Sequence, residues 1–237
     1  VLCEGSGHDI TRNHIYNIDY VGTYAAPIAL GGTRHTVTFN TAHHAGRDVL
    51  LPSGQGHLIM YNDLYAPGQL CKDLGVIYTW GQDALGTNGR PTRIAFNWVH
   101  DHPQTSIAPL IYLDNYCRNF VVDHNVCWQS VDRNDAGIRI NGPALDHRIY
   151  HNTLYNCDDI GTHTYNSFPK SNPDPIFWTN ANQYGYDARN NLYLGTTPAS
   201  QLVDPTGRDF RPRSGSAAID AGEVIAGFND GYDGAAP

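Results

Sequence analysis

The chain has little of what α-helices are made from. Its 237 residues include only two glutamates, two lysines and one methionine. Those residues favour helices, whereas the 24 glycines, 14 prolines and 15 tyrosines suit turns and strands. The composition therefore predicts an all-β protein. The chain also lacks a run of about 18 apolar residues, so we expect no membrane span.

Positive charge is scarce as well. The formal net charge is -8 at pH 7, and the sequence pI is about 5.8. A protein that binds nucleic acid needs a basic stripe against the phosphates, so this charge argues against a nucleic acid partner. It also disfavours, to a lesser degree, a strongly polyanionic substrate.

The cysteines form no recognisable pattern. There are five of them, an odd number, without a CxxC spacing. This argues against a zinc ribbon and against a closed disulfide framework, so we expect free thiols. The His and Asp residues lack convergent ligand spacing, and we therefore expect no catalytic metal and no other cofactor. Loop aspartates could still hold a structural calcium ion.

Nothing in the sequence divides the chain into domains. There is no Ser/Pro linker and no block of like charges, so we predict one domain over residues 1–237. The chain starts at Val1 and shows no signal peptide. We interpret it as trimmed at both ends.

What the chain does have is a repeat. An apolar-x-x-Asn-x-apolar phrase recurs seven times at intervals of 22 to 38 residues, with its asparagines at Asn13, Asn40, Asn62, Asn97, Asn125, Asn152 and Asn190. Repeats with connections of variable length are typical of solenoids. Asparagines stacked at one corner can satisfy each other's amides away from water. We predict a right-handed parallel β-helix with an asparagine ladder and about seven to eight rungs over residues 8–213.

A second phrase places a strand in each rung. It begins at Ile28, Val49, Ile77, Ile111 and Ile138, and its side chains alternate between core and surface. Alignment of the rungs stacks two outward columns, with Tyr78, Tyr112 and Arg139 in one and Trp80, Asp114 and Asn141 in the other. Aromatic rings mixed with hydrogen-bonding groups predict a binding surface. The alternative is that the rings only cover the side of the solenoid.

Several of these segments resemble a known family. The texts DLGVIYTWG at residues 73–81, FNWVHD at 96–101 and IYLDN at 111–115 are similar to central rungs of β-helix glycoside hydrolases. That pectin-lyase-like group includes xylan- and fucoside-cleaving enzymes. The texts DFRP at 209–212 and SGSAAIDAG at 214–222 resemble the closing phrase of secreted bacterial β-helix proteins. The resemblance implies a secreted or cell-surface bacterial enzyme that acts on a polysaccharide or oligosaccharide.

The resemblance also implies a catalytic pair, Asp73 and Asp114. Glycoside cleavage needs one carboxyl group to protonate the departing oxygen, while the other attacks the anomeric carbon or activates water. From the residues alone Asp114 has the stronger support, because it lies centrally in an outward column. Asp73 can reach it only if the chain folds back before Gly75. Otherwise Asp73 caps a turn, and Asp83 or Asp101 is the partner.

The candidate substrate-binding residues are Tyr78, Trp80, Asp101, Tyr112, Arg139 and Asn141. Among these, Arg139 could hold Asp114 ionised or grip a substrate carboxylate. We expect His100, beside Asp101, to pack in a ladder of rings. Two other functions remain open. A polysaccharide lyase would need a base and several cations, which are few here, and a noncatalytic carbohydrate-binding solenoid would need only the aromatic columns.

Overall fold

The structure is a computed structural model that describes residues 1–21, 24–87, 89–103, 107, 109–130, 136–163, 184–194, 201–222 and 224–228. Strands and turns account for the regular structure of those residues, and no helix occurs among them. The described residues accordingly contain no helix that is long and apolar enough to cross a membrane. The all-β prediction is confirmed.

The strands form three seven-stranded sheets, which the chain visits in turn. The first sheet contains β1 (Leu2–Cys3), β4 (Ile28–Leu30), β7 (Leu50–Pro52), β10 (Ile77–Thr79), β13 (Ile111–Leu113), β16 (Ala136–Asn141) and β19 (Asp158–His163). The second contains β2 (Asp9–Thr11), β5 (Thr36–Thr38), β8 (Leu58–Met60), β11 (Arg93–Ala95), β14 (Val121–Asp123), β17 (Ala144–Tyr150) and β20 (Tyr184–Arg189). The third contains β3 (His14–Ile18), β6 (Thr41–Ala45), β9 (Asp63–Tyr65), β12 (Trp98–His102), β15 (Val126–Ser130), β18 (Thr153–Tyr155) and β21 (Leu192–Tyr193).

Each passage through the three sheets is one rung of a parallel β-helix. Neighbouring strands of a sheet run parallel and belong to consecutive rungs, so the described chain makes seven rungs. This confirms the predicted fold, with two differences in extent. The first rung begins at Leu2 rather than at residue 8, because β1 pairs with β4. After the last rung, β22 (Leu202–Asp204) and β23 (Asp209–Pro212) form an antiparallel hairpin rather than another rung.

The core lies between the three sheets and consists of inward aliphatic side chains. Ile77, Ile111 and Ile138 stack on one another and are fully buried, as the alternation predicts. In the third rung the predicted register is wrong by one residue, because Leu50 rather than Val49 pairs with Ile77. All five cysteines are free thiols, as expected.

An asparagine ladder runs along the corner between the second and third sheets. In six successive steps an asparagine donates its backbone N–H, at 3.0 Å, and its Nδ2 to the Oδ1 of the asparagine one rung on. The members are Asn13, Asn40, Asn62, Asn97, Asn125, Asn152 and Asn191. The predicted seventh member, Asn190, is wrong by one position. Asn190 instead precedes the ladder residue in a left-handed conformation, with φ 57°.

Two columns of left-handed residues accompany the strands of the third sheet, one before the strands and one at or near their ends. The residue before each ladder asparagine has φ between 53° and 59°; these are Arg12, Phe39, Tyr61, Phe96, His124, His151 and Asn190. A second left-handed residue follows five positions later in six rungs, at Asn17, His44, Ala66, Asp101, Gln129 and Asn156. Residues with a Cβ atom adopt this conformation at a cost of about 1–2 kcal/mol. In the first column, ring stacking between Phe39, Tyr61 and Phe96 at 5.3 and 5.2 Å offsets part of that cost.

A second internal ladder, which the sequence analysis missed, runs where the chain enters the second sheet. The Nδ1 of His35 accepts from the backbone N–H of His8, and the Nδ1 of His57 accepts from that of His35, both at 3.1 Å. The Oγ1 of Thr92 accepts from the backbone N–H of His57 at 3.2 Å. The Nε2 of His57 lies 2.8 Å from the Ser53 carbonyl oxygen. Because Nδ1 accepts and Nε2 faces a carbonyl, His57 is the neutral tautomer with its proton on Nε2.

We expect these histidines to make the fold sensitive to acid. Burial lowers the pKa of His57 to about 4, and it lowers the pKa of His147, the equivalent residue of the sixth rung, to about 3. Unfolded histidine titrates near pH 6.5. Below that pH the unfolded chain binds protons at these histidines that the folded chain does not, so their contribution to stability is complete above pH 6.5 and is lost as the pH falls toward 4. One pKa unit corresponds to about 1.4 kcal/mol, so each of these two histidines should contribute a loss of about 3 kcal/mol to thermal melts over this range.

His57→Thr is the control for this expectation. Thr92 occupies the equivalent position one rung on, and its hydroxyl accepts the same hydrogen bond without titrating. The variant should therefore lose less of its melting temperature between pH 6.5 and 4, whatever its absolute stability. An unchanged pH slope would show that His57 does not cause the acid sensitivity.

Candidate functional site

The candidate site lies on the outward face of the first sheet, in the fourth to sixth rungs. The strand register places Tyr112 between Tyr78 and Arg139, as predicted. Asp114 follows directly after β13. Its backbone N–H donates to the Thr79 carbonyl at 2.8 Å, which fixes the residue beside the end of β10. The predicted outward columns are therefore present.

Three hydrogen-bond donors surround the Asp114 carboxylate. The Tyr78 hydroxyl donates to Oδ2 at 2.9 Å, the Asn141 Nδ2 donates to Oδ1 at 2.8 Å, and the Asn115 backbone N–H donates to Oδ1 at 2.7 Å. A carboxylate can only accept, so an arrangement of three donors matches it. The residue is 7% exposed. Asp114 is thus a nearly buried acceptor in a fixed orientation.

The two tyrosines of the column stay protonated. Burial, followed by the charge of Asp114, raises the pKa of both Tyr78 and Tyr112 far above the ordinary value. The Arg139 guanidinium opposes this at Tyr112, where its carbon lies 5.0 Å from the ring centroid, but it does not reverse the direction. Both hydroxyl groups are therefore hydrogen-bond partners near neutral pH and not anionic bases.

Asp73 lies on a turn that folds back over this face. The residue is exposed and left-handed, with φ 59°. Two residues later, a Cβ added to Gly75 would lie 3.0 Å from the Tyr112 Cβ, so the turn packs directly on Tyr112. After burial, the charges of Asp114 and of Asp73 both raise the pKa of Tyr112. The fold-back on which the pairing of these two carboxylates depends is therefore present in the structure.

Two buried residues of the site were missed from the sequence, Arg47 and Asp48. Arg47 Nη1 lies 2.9 Å from Asp48 Oδ2, with side chains 7% and 0% exposed. Arg47 Nη2 also donates to the Asp73 carbonyl at 3.0 Å. Burial raises the pKa of Asp48 to about 7, against the opposing charge of Arg47. An Arg-Asp pair just before a strand is a common sequence, so it carried no signal for this contact with the next rung.

The outward columns are less open than a simple alternation implies. Tyr112 is 2% exposed because the Asp73 turn packs on it, and Arg139 is 6% exposed. Trp80, by contrast, is 55% exposed and meets the Tyr116 ring edge-on at 6.4 Å. A ligand on this face would therefore meet the exposed Trp80 and Asp73 before the nearly buried Asp114.

The other predicted acidic residues lie elsewhere. Asp101 belongs to β12 of the third sheet, where its Oδ2 is 2.9 Å from His100 Nδ1. His100 stacks between Tyr65 and Trp128, at 4.7 and 4.0 Å, in the expected ladder of rings. The polar contact of Asp101 is thus with this ladder and not with the outward columns, and its role in substrate binding stays a prediction.

Asp83 likewise does not join Asp114. It accepts from Asn119 Nδ2 at 2.7 Å, and Arg118 Nε lies 3.7 Å from its Oδ2. Asp83 also forms an isolated bridge to Arg118 between the first and second sheets. Three carboxylates were weighed as partners for Asp114. Of these, Asp73 lies on the turn that packs against the outward columns, at Tyr112.

Metal ligands do not gather at this face. In the part of the chain that the structure describes, no three His, Cys, Asp or Glu side chains are grouped so that they could hold a metal ion.

Comparisons with protein-family models, with curated proteins and with solved structures give no match to this chain. The site must therefore be interpreted from its own geometry.

Proposed function

We propose that this chain is a carbohydrate-active enzyme, a glycoside hydrolase that cleaves a neutral or weakly acidic glycan on the outward face of the first sheet. One observation carries the proposal. Two carboxylates of different character meet at one column of tyrosines: the nearly buried Asp114 accepts from Tyr78, and the exposed Asp73 lies on the turn that packs on Tyr112. Glycoside cleavage requires two carboxyl groups with different tasks. The exposed ring of Trp80 offers a platform for a sugar face.

In this proposal Asp114 is the nucleophile or the base. Its donors from Tyr78, Asn115 and Asn141 hold the carboxylate in one orientation before the substrate arrives, which reduces the reorganisation needed during the reaction. It either forms a bond to the anomeric carbon or removes a proton from the attacking water. The separation of the two carboxyl groups decides between these routes: about 5 Å for retention and about 6.5–9.5 Å for inversion.

Asp73 is the proposed proton donor. As the bond between the anomeric carbon and the departing oxygen breaks, the Asp73 carboxyl group delivers its proton to that oxygen. Its exposed place on the turn leaves it accessible to a sugar that stacks on Trp80. The same proposal makes the partner a polysaccharide or oligosaccharide outside a bacterial cell and not a nucleic acid, in keeping with the net charge of -8.

The site supports a polysaccharide lyase less well. β-Elimination needs a base for the C5 proton and cations that neutralise the uronate. The raised pKa values of Tyr78 and Tyr112 keep both hydroxyl groups protonated. Arg47 is occupied by Asp48, and Arg139 is nearly buried against Tyr112. These two arginines are therefore bound within the protein, and Lys72, beside Asp73, is the exposed cation of this turn.

A panel of plant and algal glycans tests the proposal. Hydrolysis should release reducing ends without ultraviolet-absorbing products, whereas a lyase would release unsaturated ends that absorb. Glycans that bind tightly without being cleaved would replace the hydrolase with a noncatalytic binding solenoid. Treatment with a chelator should leave cleavage unchanged, because the proposed chemistry uses two carboxyl groups and no metal.

We expect Asp73→Asn to lose activity according to the leaving group. Turnover of a natural glycan should fall by about 10²–10³, because the departing oxygen then receives no proton. A substrate with an activated aryl leaving group needs little protonation and should be cleaved at nearly the wild-type rate. Asp83→Asn is the matched control, because Asp83 contacts Asn119 and Arg118 away from the columns. Equal losses on both substrates would rule out Asp73 as the proton donor.

A further inference from the structure

The ion pair of Arg47 and Asp48 makes two hydrogen bonds to the main chain of the Asp73 turn. Arg47 Nη2 donates to the Asp73 carbonyl at 3.0 Å, and Asp48 Oδ1 accepts from the Gly75 N–H at 3.3 Å. Between these points, the Leu74 backbone is the hydrogen-bond partner of the buried His102. Three successive residues of one turn are therefore held through their backbone by three buried side chains.

The same guanidinium also contacts the other half of the site. Its carbon lies over two rings, 4.3 Å from the Tyr24 centroid and 4.6 Å from the Tyr78 centroid. Tyr78 in turn donates its hydroxyl hydrogen to Asp114 at 2.9 Å. Arg47 thus touches both the turn that carries Asp73 and the tyrosine that orients Asp114.

Stability alone does not account for such a pair. Desolvation of two charges costs several kcal/mol per ion in general, and a buried ion pair is often no more stabilising than apolar residues of the same volume. Asp73 is also left-handed, a conformation that Asp tolerates better than most residues with a Cβ atom, as at many turns of this chain. Arg47 and Asp48 make hydrogen bonds to the backbone of the Asp73 turn. This arrangement is expected of residues that fix the conformation of the turn.

We propose that Arg47 and Asp48 are positioning residues that lock the Asp73 turn and Tyr78 in one arrangement, and so set the distance between the two catalytic carboxyl groups. The catalytic part of this inference rests on the proposed hydrolase function. The mechanical part, that the pair fixes the turn, does not. The two parts therefore need separate measurements on the same variants.

The test uses two substitutions in the pair. Asp48→Asn removes the charge that holds Arg47 but keeps an oxygen that can accept from Gly75. Arg47→Lys keeps the charge, but a single ammonium group cannot replace the planar fork that reaches Asp48 and the Asp73 carbonyl while it stacks on Tyr78. The control is Asp123→Asn, which disrupts the Arg93–Asp123 ion pair on the second sheet, in which Asp123 is buried and Arg93 is partly exposed.

Hydrogen exchange of the amides of residues 72–76 reports the mechanical part. Both variants of the pair should exchange these amides at least about tenfold faster under conditions where the protein is folded, and Asp123→Asn should leave them unchanged. With a cleaved glycan in hand, kcat should fall about 10- to 100-fold while KM changes less than about threefold, since Trp80 still binds the sugar.

The outcomes separate the two claims. Unchanged exchange in both variants, or equal acceleration by Asp123→Asn, would overturn the positioning role. Faster exchange with an unchanged kcat would overturn its catalytic part. If the wild-type protein cleaves no glycan, the proposed function fails, and the exchange rates alone decide whether the pair fixes the turn. If one substitution prevents folding, the amide exchange and kcat of the other variant test the same two claims.

Discussion

Asp114→Asn is expected to lower turnover of the cleaved glycan by at least about 10³, the largest functional effect of any single substitution in this chain. The amide cannot attack the anomeric carbon and is too weak a base to activate water. Its nitrogen would also face one of the donors that now point at the carboxylate from Tyr78, Asn115 and Asn141. That mismatch should cost about 1–3 kcal/mol of stability, so melting temperature and turnover must be measured together.

Asp187→Asn provides the comparison. Asp187 also accepts from a tyrosine hydroxyl, that of Tyr150, at 2.6 Å, but it lies on β20 of the second sheet. A similar hydrogen bond is therefore disturbed far from the outward columns, and turnover should remain within about twofold of the wild type. Near-normal turnover in Asp114→Asn, on protein shown to be folded, would remove Asp114 from the mechanism.

The largest effect on stability is expected for Asn125→Ala, in the middle of the asparagine ladder. The Oδ1 of Asn125 accepts from the backbone N–H and the Nδ2 of Asn97, and its Nδ2 donates to the Ile94 carbonyl and to Asn152 Oδ1. Alanine would leave donors and acceptors unpaired on both neighbouring rungs, where no water reaches. Each such group costs about 1–3 kcal/mol, so the free energy of unfolding should fall by about 3 kcal/mol or more.

Asn13→Ala is the matched control for that loss, since it makes the same substitution in the same ladder. Asn13 occupies the first rung and is exposed, so water can replace the hydrogen bond that its side chain donates to Asn40. Its loss should cost less than about 1 kcal/mol. Chemical denaturation of both variants measures the difference. Equal effects at the two positions would mean that burial of the ladder is not the source of its strength.

The sequence predicted those features that repeat. The β-helix, the core face of Ile77, Ile111 and Ile138 and the column of Tyr78, Tyr112 and Arg139 all follow from register, since a residue in one rung has a counterpart in the next. Its error at the end of the ladder has a physical cause. Two asparagines stand side by side there, and Asn is tolerated in the left-handed position that precedes the ladder residue, so the pattern fits either one.

Contacts that occur once could not be predicted in this way. The grip of Arg47 and Asp48 on the Asp73 turn joins the third rung to an irregular connection of the fourth, and no other rung shows a counterpart in the described residues. The burial of Tyr112 has the same origin, because a turn covers a column that alternation alone leaves open. The candidate site therefore depends on the parts of the chain that depart from the repeat.

The two columns of left-handed residues fix the number of residues between two bends of each rung. In six rungs the two bends are five residues apart, from Arg12 to Asn17 and so on to His151 and Asn156, while the connections from the third sheet to the first differ in length. One added residue within the five would move the side chains that follow it in that strand to the opposite face of the sheet and would break two stacks of rings. New sequence can therefore enter this protein only between such units, which is where the Asp73 turn lies.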